Sequence, residues 1–301
     1  MTMTQGAVRR TPPASDNLRN PGDSGFDRRR DRFPWRWSYL FLAAMVLLQL
    51  LPFYLTLTTA MKPPTDLSST LSPRLTDIAW SNWATAVTDG KILTAIGNSL
   101  VVTVIATAAV CLIGSMAAYP LARHKTRLNK GIRLFVMIMM MVPPLSILVP
   151  LYSLLVDMGG ANTYWGEIVV MTATHLPLAI FLYSSFIESI PDAIDEAGMI
   201  DGAGRLAIFF RLILPTLKPV TATVVIMSGT SIWNDYALSS YILTDPDMQT
   251  IAPRVASFFS QNSNAMGVAA AASLIAAAPI VILYIFLQRY FIEGMVAGSV
   301  K

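Results

Sequence analysis

Charge, cysteine and histidine are all scarce in this 301-residue chain, and each scarcity narrows what it can be. Charged residues make up 13% of the sequence and hydrophobic residues 54%, where soluble globular domains carry about 25% charged residues. An ordinary water-soluble domain is excluded, and a polytopic membrane protein is indicated. The one cysteine, Cys111, lies in an apolar run, so no intrachain disulfide can form and packing is its expected role. No histidine, cysteine or carboxylate cluster has metal-ligand spacing, and no GxSxG nucleophile motif occurs. A phosphate-binding loop, GxxxxGK[ST], is also missing, since Gly90-Lys91 lacks both the earlier glycine and the following hydroxyl residue. The chain is therefore not expected to be an enzyme, to hydrolyse ATP itself, or to hold a cofactor or metal.

What it has in abundance is long apolar runs. A membrane helix needs about 20 apolar residues, and six stretches reach that length, at about 37–61, 98–122, 131–157, 164–188, 216–240 and 267–291. The bilayer core offers no water to backbone groups, so such runs must be helices, which predicts an all-α membrane protein with six spans and both termini on one side. Pro52, Pro143, Pro144, Pro150 and Pro177 each remove a backbone donor and are expected to kink or loosen these helices.

Orientation follows from Lys and Arg, which concentrate in cytoplasmic loops. Arg28, Arg29, Arg30, Arg32 and Arg36 precede span one, and Arg123, Lys125, Arg127, Lys130 and Arg133 lie between spans two and three. From there to Arg205 neither residue occurs, which puts the loop near Gly159 outside and the segment with Arg205, Arg211 and Lys218 inside. Lys62, Arg74 and Lys91 run against this pattern, interleaved with Asp66, Asp77 and Asp89. Residues 1–34 are rich in Pro, Gly, Arg and Asp without an apolar run, and read as a disordered basic cytoplasmic tail. The tail's arginines, beside Trp35 and Trp37, are expected to anchor topology at the lipid bilayer, not to bind nucleic acid, and the tail is not a secretory signal.

One segment, about 189–219, is polar and broken by glycine. In IPDAIDEAGMI, Ile190, Ile194, Ala197 and Ile200 fall on one helical face, while Asp192, Asp195 and Glu196 sit near the positive end of the helix dipole. Asp201-Gly202-Ala203-Gly204 then interrupts the pattern, and the helical spacing on both flanks predicts a bend between two short helices rather than a hairpin. Leu206, Phe209, Phe210, Ile213 and Leu217 follow on one face before Pro215 and Pro219. A surface helix of the same periodicity could lie on lipid, but such helices are usually basic and this one is acidic, which suits a basic protein socket.

Glu196-Ala197-Gly198, Asp201-Gly202-Ala203 and Ile213-Leu214-Pro215 resemble the EAA loop of the membrane subunits of ABC importers, with Gly198 in place of the second alanine. Asn98-Ser99-Leu100, Ala118-Tyr119-Pro120-Leu121-Ala122-Arg123, Trp233-Asn234-Asp235-Tyr236 and the ending from Gly294 to Lys301 resemble the carbohydrate-uptake subgroup, similar to the second membrane subunit of the maltose transporter. The resemblance implies a six-helix transmembrane domain over 35–301 in a bacterial or archaeal inner membrane. It implies partners as well: a second membrane subunit, two ATPase subunits that bind ATP and Mg, an extracytoplasmic solute-binding protein and a carbohydrate substrate. By the same resemblance, Glu196, Ala197, Gly198, Asp201, Gly202, Ala203, Leu214 and Pro215 would form the ATPase-coupling element. Gly298 and Lys301 would belong to a tail that enters the ATPase interface.

For the translocation path the candidates are His175, Trp233, Asn234, Asp235 and Tyr236. His175 reads as the sole ionisable residue deep in an apolar run, where such groups are functional candidates, although an imidazole beside Pro177 can also bond a carbonyl that the proline frees. Asn234 and Asp235 are costly in a span unless they face a cavity. The polar loop from about Thr244 to Gly267 is placed to meet an outside partner. Two alternatives stand beside the sugar importer: an importer of the same kind for a non-sugar solute, and an ion-coupled secondary transporter, which would need more intramembrane charge than the spans show.

Overall fold

The computed structural model describes residues 35–63, 77–261 and 266–299. The basic tail, Asp66, Arg74, most of the SQNSN stretch and Lys301 lie outside the described residues. Those described contain helices with short 3₁₀ and π turns and no strand. In order they are α1 (Trp35–Met61), α2 (Trp80–Val87), α3 (Ile92–Arg123), α4 (Arg127–Met139), a 3₁₀ turn (Pro144–Ile147), α5 (Leu148–Asp157), α6 (Tyr164–Ile187), α7 (Ala193–Ile200), α8 (Arg205–Ile208), a π turn (Phe209–Ile213), α9 (Leu214–Thr216), α10 (Lys218–Trp233), α11 (Ala237–Ile242), α12 (Ile251–Gln261) and α13 (Met266–Ser299).

Two compact units divide the chain, Met1–Leu50 and Leu51–Lys301. In the first, the described residues are the start of α1, where Leu40, Phe41 and Leu47 expose their apolar side chains, as a lipid-facing helix must.

The second unit is organised by α3 and α6. Along α3, Ser99, Thr103, Ala106, Val110, Gly114 and Ala118 are buried at spacings of three and four, a stripe of mostly small residues. Small side chains let two helix backbones approach closely, which is how helices associate in lipid, where apolar side chains gain nothing by leaving one oily medium for another. The approach is close at Gly114, where an added Cβ would stand 3.0 Å from the Cβ of Ala179 on α6. Around this crossing Tyr183 and Ile187 of α6 and Phe209, Ile213, Leu217 and Val220 complete one core. The Tyr183 hydroxyl donates to Thr221 Oγ1 at 3.1 Å, tying α6 to α10. A second core gathers Ala60, Ala86, Ile92, Trp233, Ile251 and the alanines 270–272.

Among the described residues, four helices are long and apolar enough to cross a membrane: Trp37–Met61, Ile92–Arg123, Tyr164–Ile187 and Met266–Phe286. The count becomes six if each of two bent pairs is one span: Arg127–Met139 with Pro144–Asp157, bent 94°, and Arg205–Thr216 with Lys218–Trp233, bent 75°. The run expected over 131–157 is thus broken, at Pro143-Pro144, where neither residue can donate to the preceding turn. The run expected over 216–240 ends as a helix at Trp233, and Asn234 to Tyr236 form the turn into α11.

Gly114→Leu should force α3 and α6 apart where Gly114 meets Ala179. Overpacking of this kind costs about 1–3 kcal/mol, so the detergent-solubilised variant should unfold at lower temperature than wild type in a thermal melt, whereas Gly97→Leu, whose added Cβ meets nothing, should unfold near the wild-type temperature.

Candidate functional site

The segment 189–219 folds as an elbow with two limbs. Gly202 has φ +78°, the left-handed region that glycine tolerates, and it ends α7 in a defined cap. The Ala203 amide donates to the Gly198 carbonyl (2.9 Å) and the Gly202 amide to that of Met199 (3.1 Å), the paired bonds of a Schellman motif. Asp201 is the last residue of the turn before Gly202, so Asp201-Gly202-Ala203 is a helix stop that reverses the chain. Gly204, in extended conformation, caps the start of α8.

The limbs pack on each other through Gly198, where an added Cβ would meet Leu212 Cδ1 at 2.9 Å and Ile208 Cγ1 at 3.0 Å. The second limb is held by Phe209, Ile213 and Leu217, spaced by four and fully or almost fully buried, with Leu214 half-buried against the same core and Pro215 exposed. The apolar face read from sequence over residues 190–200, of which Ile190 precedes α7, is only partly inward. Ile190 and Ile194 pack toward the core, but Ala197 is exposed, as are Met199 (55%) and Ile200 (86%), with Glu196 between them. Leu206 at the start of the second limb is 68% exposed, and Phe210 is also exposed.

Arg123, at the end of α3, grips the base of this elbow. Its guanidinium donates to the Ile190 carbonyl (2.8 Å), the Ile187 carbonyl (3.2 Å) and Asp192 Oδ1 (2.6 Å), and pairs with Asp195 Oδ2 at 2.7 Å. Only 9% of the Arg123 side chain and 10% of that of Asp195 are accessible, so the pair is nearly dry, and losing one partner of such a pair costs about 3–5 kcal/mol. The Tyr119 hydroxyl, one turn earlier on α3, donates to Asp195 Oδ1. Arg133 of α4 pairs with Glu188 just beyond α6. Arg123 and Arg133, which in the sequence only mark orientation, are thus engaged in specific ion pairs.

At the other end of α3, Asn98 organises the loop before α12. Its Nδ2 donates to the carbonyls of Asp247 (2.9 Å) and Gln249 (3.0 Å), and its Oδ1 accepts from the Tyr164 hydroxyl (2.9 Å). Ser99 Oγ accepts from the Ile251 amide at 2.7 Å. Lys91, which runs against the expected charge pattern, is paired with Asp247 at 2.6 Å. The hydrogen bond from Lys91 holds the exposed Asp247 carboxyl below its ordinary pKa.

The five residues expected on a translocation path separate into two groups. Trp233, Asn234 and Tyr236 line a cavity of about 430 Å³ together with α12 and α13. Trp233 is otherwise buried in the second core, and Asn234 turns its amide back to the Thr230 carbonyl. Asp235 and His175 do not line that cavity. Asp235 Oδ1 accepts from the Ser239 amide at 2.9 Å and so caps α11. The half-buried His175 ring places Nδ1 2.8 Å from the Met171 carbonyl, whereas the carbonyl freed by Pro177 is that of Ala173; the expected proline-linked bond is therefore not the one made.

Nor is His175 the sole ionisable residue inside a span. Glu167, in the first turn of α6, is completely buried, and its Oε1 accepts from Ser239 Oγ at 2.5 Å. Glu167 stands near the start of the run over 164–188, and nothing in the sequence shows that Ser239 would cover it. The backbone of Gly298 falls within α13, and Lys301 lies outside the described residues.

Residues 110–296 match the family described as binding-protein-dependent transport system inner membrane component. The chain is 42% identical over 264 residues to the melibiose/raffinose/stachyose import permease protein MelC of Bacillus subtilis (strain 168), covering 87% of this chain and 95% of that one. It is 30% identical over 283 residues to the multiple sugar-binding transport system permease protein MsmG of Streptococcus mutans serotype c, covering 91% and 100%. Among solved structures, a bacterial ABC transporter involved in the import of the acidic polysaccharide alginate shares the fold, with a TM-score of 0.76 at 21% identity over 87% of this chain and 98% of that chain.

The left-handed turn of the elbow is open to substitution in space but not in backbone angle, because an added Cβ at Gly202 meets nothing within 4 Å. Gly202→Val should therefore cost about 1–3 kcal/mol of backbone strain, while Gly202→Asn, a residue that visits this region, should cost less. Membrane-reconstituted transport should fall in the order glycine, asparagine, valine, and equal activity of all three would remove the conformational demand.

Proposed function

Because this chain belongs to the family of binding-protein-dependent transport system inner membrane components, we propose that it supplies half of the translocation pathway of an ATP-driven carbohydrate importer. It is a multi-pass inner-membrane permease subunit, and its cargo class is carbohydrate. The observation that carries this reading is similarity along nearly the whole chain to a sugar permease, with 95% of that relative covered. Family membership also sets aside the ion-coupled secondary transporter, in spite of the buried Glu167.

In this reading the chain pairs with a second membrane subunit, two ATPase subunits that bind ATP and Mg, and a solute-binding protein outside. The termini and the 189–219 elbow face the cytoplasm. The elbow docks on the ATPase through its outward face, which presents the Glu196 carboxylate beside exposed Met199 and Ile200, with Leu206 near the turn. Burying a side chain such as Ile200 contributes about 1.5–3 kcal/mol, and a basic partner group would fix register against Glu196. Ala197, exposed, and Gly198, buried between the limbs, keep the docking helix slim and flat against its support. ATP-driven closure of the two ATPase subunits would then bring two such elbows together and tilt the helices attached to them. Trp233, Asn234 and Tyr236 are the sugar-path candidates, because aromatic faces and an amide on an open cavity suit a polyol ring. Gly298 and Lys301 would reach the ATPase interface.

The test is a detergent pull-down of the tagged chain from its native membrane, with ATPase activity of the eluate measured with and without the solute-binding protein and melibiose, raffinose or stachyose. An ATPase should co-elute, and at least one loaded binding protein should stimulate it. Its absence from the wild-type eluate would overturn the importer reading. Glu196→Lys should lower the co-eluting ATPase by about tenfold or more by opposing a basic socket, and wild-type recovery with that variant would remove Glu196 from the docking contact.

A further inference from the structure

Docking alone does not transmit force, and the elbow's attachment to the rest of the chain is narrow. Helix α7 packs mainly on its own second limb, with Gly198 against Ile208 and Leu212. Its apolar tie to the core is the half-buried Ile194. A cavity of about 250 Å³, lined by Tyr119, Arg123, Asp195 and Met199 among others, separates much of α7 from the end of α3. Two side chains of α3 bridge this gap. Tyr119 touches both limbs, bonding Asp195 of α7 through its hydroxyl and packing its ring on Phe209 of the second limb at 5.5 Å between centroids. Arg123 reaches Asp192 and Asp195 around α7 and, with the same guanidinium, the carbonyls of Ile187 and Ile190 at the end of α6.

We propose that Tyr119 and Arg123 form a rigid joint that carries displacement of the α7–α8 elbow into α3 and α6, as positioning residues for coupling that do not themselves contact the ATPase. The proposal rests on the reading that the elbow docks on an ATPase. Its physical basis is that three guanidinium hydrogen bonds and an ion pair to Asp195, reaching two elements, fix angle as well as distance, which apolar contact across a cavity cannot do. Tyr119 and Arg123 are four residues apart and so lie on one face of α3. Through the Gly114–Ala179 crossing on the same helix, any rotation of the α3 end is passed on to α6.

Two measurements on the complete transporter separate this joint from docking. The first is the ratio of sugar taken up to ATP hydrolysed in proteoliposomes, with raffinose and the solute-binding protein. Arg123→Gln should leave the ATPase bound and hydrolysing while the ratio falls about tenfold, within the ordinary range of coupling between sites. Arg123→Lys, a point charge without the planar fork, should recover only part of it, and Tyr119→Phe should lower the ratio by a smaller factor. An unchanged ratio in Arg123→Gln and Tyr119→Phe overturns the joint. Loss of bound ATPase in proportion to lost uptake also overturns it, since the clamp would then only shape the docking face. Should Arg123→Gln not accumulate, Tyr119→Phe and Asp195→Asn decide by the same ratio.

The second measurement needs no uptake: spin labels on Ala193→Cys of α7 and Met116→Cys of α3, in a Cys111→Ala background, read the distance between the two helices. That distance should be the same with and without Mg-ATP in the otherwise native complex and should change on adding Mg-ATP in Arg123→Gln. A distance that changes with nucleotide while Arg123 is present would sink the proposal, whereas failure of the docking reading would show separately as an ATPase missing from the complex.

Discussion

The close contact of α3 and α6 is the constraint on which the rest of the structure depends. Helices in lipid have their backbone groups satisfied internally, and their apolar side chains gain nothing by leaving lipid for each other, so association rests on fit and on hydrogen bonds. Gly114 against Ala179 supplies the fit. Once the two helices are seated, Tyr183 and Ile187 form a floor for Phe209, Ile213 and Leu217, and the Tyr183–Thr221 bond adds α10. The elbow is thus plugged into the bundle by its second limb, and α7 packs on that limb, its direct ties to the bundle being Ile194 and the polar contacts of Tyr119 and Arg123.

Much of this was legible in the sequence, for reasons that differ by element. The all-α architecture follows from hydropathy because lipid permits few alternatives. The elbow was legible because helical spacing on both sides of Asp201-Gly202-Ala203-Gly204 leaves only a turn between them, and Gly202 does adopt the left-handed angle such a stop requires. The breaks in the runs over 131–157 and 216–240 were less so. Paired prolines announced the first, but the short polar interruption at Asn234-Asp235 does not by itself say that the helix stops at Trp233.

Side-chain function was harder to read, because charge partners are set by tertiary contacts. Arg123 and Arg133 belong to a basic cluster whose statistical meaning is orientation; that Arg123 meets Asp192 and Asp195 depends on where the chain returns 69 and 72 residues later. The apolar stripe over residues 190–200 misled in the opposite sense. Periodicity reports a face without saying what covers it, and here Ala197 and Ile200 face outward while Ile190 and Ile194 face the core. An exposed apolar face on a membrane protein's polar loop is what a protein partner would cover.

The turn from Trp233 to Tyr236 shows how one short motif can divide its labour. A carboxylate sealed from water is tolerable only with hydrogen bonds in place, and Glu167 finds one in Ser239, the residue whose amide is also taken by Asp235. Ser239 therefore joins the start of α6 to the cap of α11 and fixes the angle at which the chain leaves α10. Asp235 is spent on that cap and does not line the cavity. Asn234 bonds its own helix end, and Trp233 backs onto the second core, so of the four residues Tyr236 offers the least encumbered surface, 55% exposed on the cavity wall. A motif that looks uniformly functional in sequence is therefore a hinge of fixed shape, with its acidic member holding the turn and its aromatic members presented by it.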